Sequence, residues 1–424
     1  MAGRLSWGLG DQAVSSLTNF IVGIYVARSL GAVAFGIFSL AWVTYGVVLN
    51  VSRGLATDPL MVRFGGGVPF SVWRLAVGKA AGTALAVGVA AGVLSLLFGM
   101  AIGGPLGGAF VALGVVMPAL LLQDAWRFAF FAAGAGQKAF FNDAMWGVAL
   151  FPAMILAARH GTVVGFLLAW GASAGVAALF GWVQTEIWPK LGGVRGWVSE
   201  HRELGVRYLI ENVSNSGASQ LRAYGLGAIA GFAAVGTVRG AEQLLGPFLA
   251  LLMGLSLVTV AEGARVLKHS PHRLRHFCMI LGGAQAAAAF LWGLGILFLL
   301  PDSAGRFVLG SLWDTSSQLI LPVTLAVVGA SFTTGAAAGL RALGAAKRSL
   351  RSQLIASAAY VTFGLTGAFM GGALGSAWGI SVATLSGSAV WWFQLHIGLR
   401  EYAARPPAGP EDTAEPDQEE VKTR

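Results

Sequence analysis

The chain has 424 residues, of which 56% are hydrophobic and only 11% charged, with a mean hydropathy of +0.70, a composition that no soluble domain of this length needs for its core. Its single cysteine, Cys278, excludes an internal disulfide, and no Cys/His spacing suits structural zinc. The net charge of +9 is unevenly spread, because residues 401–424 hold 7 of the 19 acids and leave 25 basic against 12 acidic residues before them; in a membrane protein such basicity belongs to cytoplasmic loops rather than to nucleic-acid binding.

Apolar runs of about 20 residues predict twelve membrane helices. They lie near 8–29, 35–57, 75–102, 107–133, 140–158, 162–184, 205–231, 234–261, 276–300, 318–341, 352–371 and 373–397. The first run is interrupted by Asp11 yet continues to a full span, so it reads as a first helix and not as a cleavable leader. Odd-numbered turns are short and rich in Gly and Pro, as at Gly103-Gly104-Pro105 and Gly371-Gly372, whereas even-numbered loops are longer and basic. With the N-terminus in the cytoplasm, only Arg28, Arg159, Arg239 and Arg306 fall outside and Arg222 lies within the seventh helix; every other Lys and Arg falls inside. That bias predicts an N-in, C-in chain.

The sequence repeats. At an offset of 200, Asp11-Gln12 falls on Glu211-Asn212, Ser16 on Ser216, Gly31 on Gly231, Ala34 on Ala234 and Gly36 on Gly236. At 210, Ala133-Gly134-Ala135-Gly136-Gln137-Lys138 falls on Leu343-Gly344-Ala345-Ala346-Lys347-Arg348, and at 204 Asp58 falls on Glu262. Six helices return the chain to its starting side, so the copies share one orientation and form a parallel repeat. The expected organisation is an N-terminal six-helix lobe at 1–185, a cytoplasmic linker at 186–206, a C-terminal lobe at 207–400 and a disordered acidic tail at 401–424. Trp188-Pro189 and Trp197 suggest that the linker lies at the membrane interface.

Each copy opens with a helix that carries one wet stripe: Asp11, Ser15 and Asn19 in the first, Glu211, Asn215, Ser219 and Arg222 in the second. A charge at mid-bilayer costs about 2.5–3.5 kcal/mol, so an ion there is a functional candidate. Of the acids near the membrane, Asp58, Asp143 and Glu262 fall at helix ends, where a structural role in interfacial water suffices. Arg222 lies eleven residues beyond Glu211, about 16 Å along the axis, and is the deepest cation. It either pairs with an acid such as Glu242 or binds a substrate anion. In the fourth helix the spacing lets Asp124 pair with Arg127 beside Gln123, and in the eighth Arg239, Glu242 and Gln243 repeat that logic. All six histidines lie in loops or at helix ends, and those of the basic connections read as solvated. No phosphate-binding P-loop and no catalytic constellation is found.

The chain resembles the bacterial polysaccharide-biosynthesis flippases of the multidrug/oligosaccharidyl-lipid/polysaccharide exporter superfamily. The resemblance rests on Asp11-Gln12 with Ser15-Ser16-Leu17-Thr18-Asn19-Phe20, Gln123-Asp124 with Arg127 and Phe130-Phe131, Asn142-Asp143 with Trp146, Gly217-Ala218-Ser219-Gln220-Leu221, and Leu340-Arg341-Ala342-Leu343-Gly344. It covers nearly all of residues 1–400. It implies an all-α polytopic protein of the bacterial cytoplasmic membrane, with twelve helices in two lobes. It also implies a non-enzymatic transporter that passes an undecaprenyl-pyrophosphate-linked oligosaccharide between leaflets by alternating access, beside membrane lipid and other polysaccharide-assembly proteins. Lipid II flippases look similar but usually carry two further helices, for which this chain has no room. On that role Arg222, with Arg127 or Arg239, forms an anion cradle. Asp11, Gln12, Asn19, Asp124, Glu211, Asn215 and Glu242 line a polar cavity or bind a coupling ion. No cofactor or metal is expected, and coupling is to H+, Na+ or the membrane potential. The alternatives are a cation-coupled small-molecule exporter on the same fold and, less favoured, a membrane sugar transferase or polymerase.

Overall fold

Uninterrupted apolar runs become helices because, in lipid, a helix alone satisfies every backbone polar group within one segment. The computed structural model describes residues 2–65, 68–249, 265–267 and 273–404, apart from the side chains at 2–9, 12, 13, 210, 211 and 213–215. Among the described residues the chain is all helical. The membrane helices are α1 (Ala2–Ser29), α2 (Ala32–Ser52, running on to Phe64), α3 (Phe70–Ile102), α4 (Gly104–Ala132), α5 (Gly136–His160), α6 (Val163–Thr185), α7 (202–230), α8 (232–244), α9 (Leu274–Leu299), α10 (Ile320–Ala342), α11 (346–370) and α12 (373–403). Each coincides with a predicted span, although the predicted eighth span runs on into residues 250–261, outside the described residues. Helices α7 and α8 meet at Gly231, whose φ of 82° is open to glycine at little steric cost; Gly371-Gly372 separates α11 from α12 in the same way. The proposed tail falls outside the described residues beyond Ala404, and residues 401–403 still belong to α12.

The two lobes, α1–α6 and α7–α12, meet where the sequence repeat is strongest. A methyl group on Gly36 of α2 would lie 1.8 Å from the Phe232 carbonyl oxygen, and one on Gly236 of α8 would lie 2.0 Å from the Ala32 carbonyl oxygen. Both the glycines and the carbonyls are partners at the offset of 200. The helices therefore cross at backbone contact about a local pseudo-twofold axis, and only glycine fits on either side. The offset of 210 also has a structural counterpart. Gly134 and Gly344 end α4 and α10 with the same pair of bonds, Ala135 N to Phe130 O at 2.8 Å and Ala345 N to Leu340 O at 2.9 Å.

The crossing lies at the end of the bundle opposite the basic loops, and a second element closes that end. The turn between α9 and α10 is not short, as the alternation of loops predicts, but carries the helix Asp302–Leu309 and three further helical turns, Gly310–Leu312, Trp313–Ser316 and Ser317–Leu319. Leu309, Leu312 and Trp313 are buried in the N-lobe core with Val26 and Leu30. The Arg28 guanidinium stands 4.5 Å from the Phe307 ring centroid, and Ser316 Oγ donates to the Thr237 carbonyl at 3.0 Å. This C-lobe insertion therefore touches both lobes.

At the basic end the linker is fastened to the N-lobe. Pro59 has no N–H to offer the carbonyl of Leu55 four residues back, and α2 widens to an i→i+5 turn over Arg53–Thr57. The Leu55 carbonyl instead accepts the Trp197 indole N–H at 3.1 Å, and Lys190 N donates to Gly78 O at 2.8 Å. Trp197 is thus buried rather than interfacial, while Trp188 is exposed, as a residue of the interface would be. His201, expected in solvent, is also buried, because its ring stacks 4.1 Å from that of Trp197.

Candidate functional site

Two buried ionic clusters, one in each lobe, hold most of the predicted site residues. In the N-lobe, Asp11 of α1 is fully buried. A lone ionised carboxylate there would lose its hydration without compensation. Arg127 of α4 supplies it, donating from Nε at 2.9 Å and from Nη2 to the same Asp11 Oδ2, while Asp11 Oδ1 has no partner. The same guanidinium lies 3.3 Å from Asp143 Oδ2 of α5. Gln123 Nε2 donates to Asp143 Oδ1 at 2.9 Å and to Asn142 Oδ1 at 3.2 Å, and Asn142 Nδ2 donates to the Ala177 carbonyl at 2.8 Å. Two carboxylates therefore share one guanidinium in a dry setting.

The expected pairing of Asp124 with Arg127 along one helix is not formed. Asp124 turns toward α2, where Arg53 grips both its oxygens, from Nε at 3.0 Å and Nη2 at 2.6 Å. The widened turn of α2 begins at Arg53, and its guanidinium packs 4.9 Å from the Phe128 ring centroid. Asp143, expected at a wet helix end, is 1% exposed. It lies two turns into α5 and faces α4, so burial against Gln123 and Arg127 overrides its nearness to the basic end. Formal charges of Asp11, Asp124 and Asp143 against Arg53 and Arg127 leave the N-lobe cluster at −1.

The C-lobe cluster has the opposite sign. Arg222 of α7 is 4% exposed and donates from Nη2 to Glu242 Oε1 of α8 at 2.9 Å. Arg239, one turn earlier on α8, donates from Nη1 to Glu242 Oε2 at 2.9 Å. Glu242 thus bridges two arginines, one oxygen to each, and the cluster carries a net +1. Arg222 is held from behind: its guanidinium lies 5.7 Å from the Tyr360 ring centroid of α11, and a methyl group on Gly364 would meet its Cδ at 3.2 Å. Among the described residues its buried Nε and Nη1 have no hydrogen-bond partner, an arrangement that folding disfavours.

Arg239 and Glu242 of this cluster lie on one wall of a cleft of about 440 Å³ between the lobes, within the usual range of small-molecule sites. Arg239, Glu242 and Gln243 of α8 face Ser16, Asn19 and Phe20 of α1 and Phe35, Phe38 and Trp42 of α2. The predicted cradle is therefore divided. Arg239 lines the cleft with Arg222 buried behind Glu242, whereas Arg127 serves the N-lobe acids. Asn19 lines the cleft; the side chains of Gln12, Glu211 and Asn215 lie outside the described residues. Sequence reasoning missed Arg53, set aside Asp143 and overlooked Tyr360. The signal for Tyr360 is a single phenol within a predicted span that holds no charged residue.

No protein-family model matches the chain, and no curated protein sequence matches it. Solved structures do. The chain is similar to a multidrug resistance MATE family transporter of the MOP superfamily in an inward-facing conformation, with a TM-score of 0.71, 16% identity, and coverage of 92% of this chain and 95% of that one. It is similar to the lipid II flippase MurJ in an inward closed conformation, with a TM-score of 0.68, 10% identity, and coverage of 92% and 89%. A MOP superfamily transporter from Pyrococcus furiosus described as having a binding pocket of reversed polarity gives 0.52 at 15% identity over 95% and 96%. An outward-facing multidrug resistance MATE family transporter of the same superfamily gives 0.53 at 16% identity over 94% and 95%. The protein is thus a polytopic, all-helical membrane protein of two six-helix lobes. Its fold is that of the MOP superfamily transporters.

Proposed function

We propose that the protein is a transporter that carries an undecaprenyl-pyrophosphate-linked oligosaccharide across the bacterial cytoplasmic membrane by alternating access between its lobes. The observation that carries this reading is the Arg222–Arg239 pair, bridged by Glu242, which holds an excess positive charge beside the inter-lobe cleft, with Arg239 on its wall and Arg222 buried behind Glu242. A diphosphate offers such a pair several oxyanions to bridge, and charge-assisted bonds of this kind are the strong ones. Trp42 and Phe38 on the opposite wall give a sugar ring apolar faces to lie against. With the cell interior negative, outward movement of each net negative charge is aided by about 2.3 kcal/mol per 100 mV.

The N-lobe cluster supports a second role. Asp11 and Asp143 share Arg127 and leave the cluster one negative charge in excess, a setting suited to a coupling H+ or Na+. This observation also favours the alternative reading, a cation-coupled small-molecule exporter. Charge reversal distinguishes the two in liposomes that carry a fluorescent undecaprenyl-pyrophosphate oligosaccharide. Arg222→Glu and Arg239→Glu each reduce flipping about tenfold or more, the equivalent of one lost charge-assisted bond. Arg306→Glu, whose wild-type side chain is exposed and paired with Asp314, flips at the normal rate. Full transport by correctly inserted Arg222→Glu and Arg239→Glu proteins contradicts the anion cradle.

A further inference from the structure

We infer that Glu242 is a built-in competitor of the transported anion, so that protonation of its carboxylate and binding of substrate are linked. The inference rests on the anion-cradle reading and adds how that cradle is emptied and filled. Glu242 places one oxygen on each arginine, at 2.9 Å and 2.9 Å, as a bridging phosphate oxyanion would. It is 26% exposed on the cleft wall and can leave, whereas Arg222 is fixed by Tyr360 and Gly364 and cannot follow it. A substrate phosphate and the ionised carboxylate therefore contend for the same donors.

Among the described residues, Glu242 is the acid that meets both arginines. Its own helix supplies Arg239 and the neutral Gln243, α7 supplies Arg222, and α11 supplies the Tyr360 phenol beyond Arg222. The facing walls of α1 and α2 supply Ser16, Asn19, Phe20, Phe35, Phe38, Ser39 and Trp42, none of them charged. Asp11 and its partners are engaged with one another elsewhere. Among the described residues no second carboxylate pairs with either arginine. When Glu242 takes a proton from water, its two ionic bonds are lost and the cluster goes from +1 to +2, matching a pyrophosphate diester dianion. A proton that stays on Glu242 during the passage accompanies the anion and cancels one of the charges moved.

The test uses the purified full-length protein in detergent and farnesyl diphosphoryl glucose, a pyrophosphate diester whose charge is constant between pH 5.5 and 8. Binding is read by tryptophan fluorescence, and folding by thermal unfolding. In wild type, affinity rises about tenfold or more on going from pH 8 to 5.5, as a competing interaction of one ionic bond requires. Glu242→Gln binds equally at both pH values and at least as tightly as wild type does at pH 5.5, and Arg222→Gln binds at neither. If Glu242→Gln does not fold, Glu242→Asp, whose shorter carboxylate cannot span both arginines, is expected to bind more tightly than wild type at pH 8 and to keep a pH dependence. A Glu242→Gln protein that keeps the wild-type affinity and pH dependence, or a Glu242→Asp protein no tighter than wild type, overturns the competitor while Arg222→Gln still fails to bind. Normal binding by Arg222→Gln overturns the cradle itself.

Discussion

Arg127→Gln destabilises the detergent-solubilised protein by about 3–5 kcal/mol, the cost of breaking a buried ion pair by removing one partner. The glutamine leaves Asp11, fully buried, and Asp143, 1% exposed, facing each other with no cation. Thermal unfolding reads the loss as a large fall in midpoint. Adding Asp11→Asn, which removes the uncompensated charge, recovers most of it, because the two sites are in contact and their effects do not add. A single variant that melts with wild type, or a double variant that melts below the single, shows that the N-lobe acids do not depend on Arg127.

Replacing Gly36 by leucine is expected to open the end of the bundle opposite the basic loops. The first added carbon would lie 1.8 Å from the Phe232 carbonyl oxygen, and because both partners are backbone, relief requires α2 and α8 to separate. The readout is a cysteine at Ser39, which lines the cleft and is 3% exposed, in a background with Cys278→Ala. A thiol reagent added from that side labels Ser39→Cys roughly tenfold faster in Gly36→Leu than with glycine present, the change expected for a population shift of about 1.4 kcal/mol. Gly236→Leu, at the pseudosymmetric position, has the same effect. Equal labelling in all three backgrounds means that the crossing is not what closes this end.

Both predictions concern features that the sequence displayed unequally. The helices were legible because apolar runs of bilayer length, separated by Gly/Pro turns and basic loops, have few other folded solutions. The offset of 200 picked out Gly36 and Gly236, although nothing in it said that the two glycines touch. The ionic partners were less legible. The spacing of Asp124 and Arg127 permits a bond along one helix, and the rotation of α4 against α1, α2 and α5 decides otherwise. That rotation is set by packing across the lobe and not by local spacing. For Arg222 and Glu242 the expected bond did form, between the adjacent helices α7 and α8. The insertion at 302–319 is not foreseen because residues between the spans at 276–300 and 318–341 read as a short turn, whereas Leu309, Leu312 and Trp313 are buried as a short cap against the other lobe. His201 was misplaced for a related reason: a loop position predicts water, but the carbonyl freed by Pro59 draws Trp197, and His201 with it, into the N-lobe.

Anion movement through the inter-lobe cleft is what the proposed function requires. Its most direct measurement is the transfer of a fluorescent undecaprenyl-pyrophosphate oligosaccharide between the leaflets of liposomes containing the purified protein, with and without an imposed potential, beside uptake of the lipophilic dye cation ethidium. Protein-dependent transfer is expected to be faster when the side holding the lipid is made negative, to be lost in Arg222→Gln, and to be accompanied by no protein-dependent movement of ethidium. Ethidium transport that survives Arg222→Gln, with no transfer of the lipid-linked sugar, contradicts the proposed function and makes the protein a cation exporter.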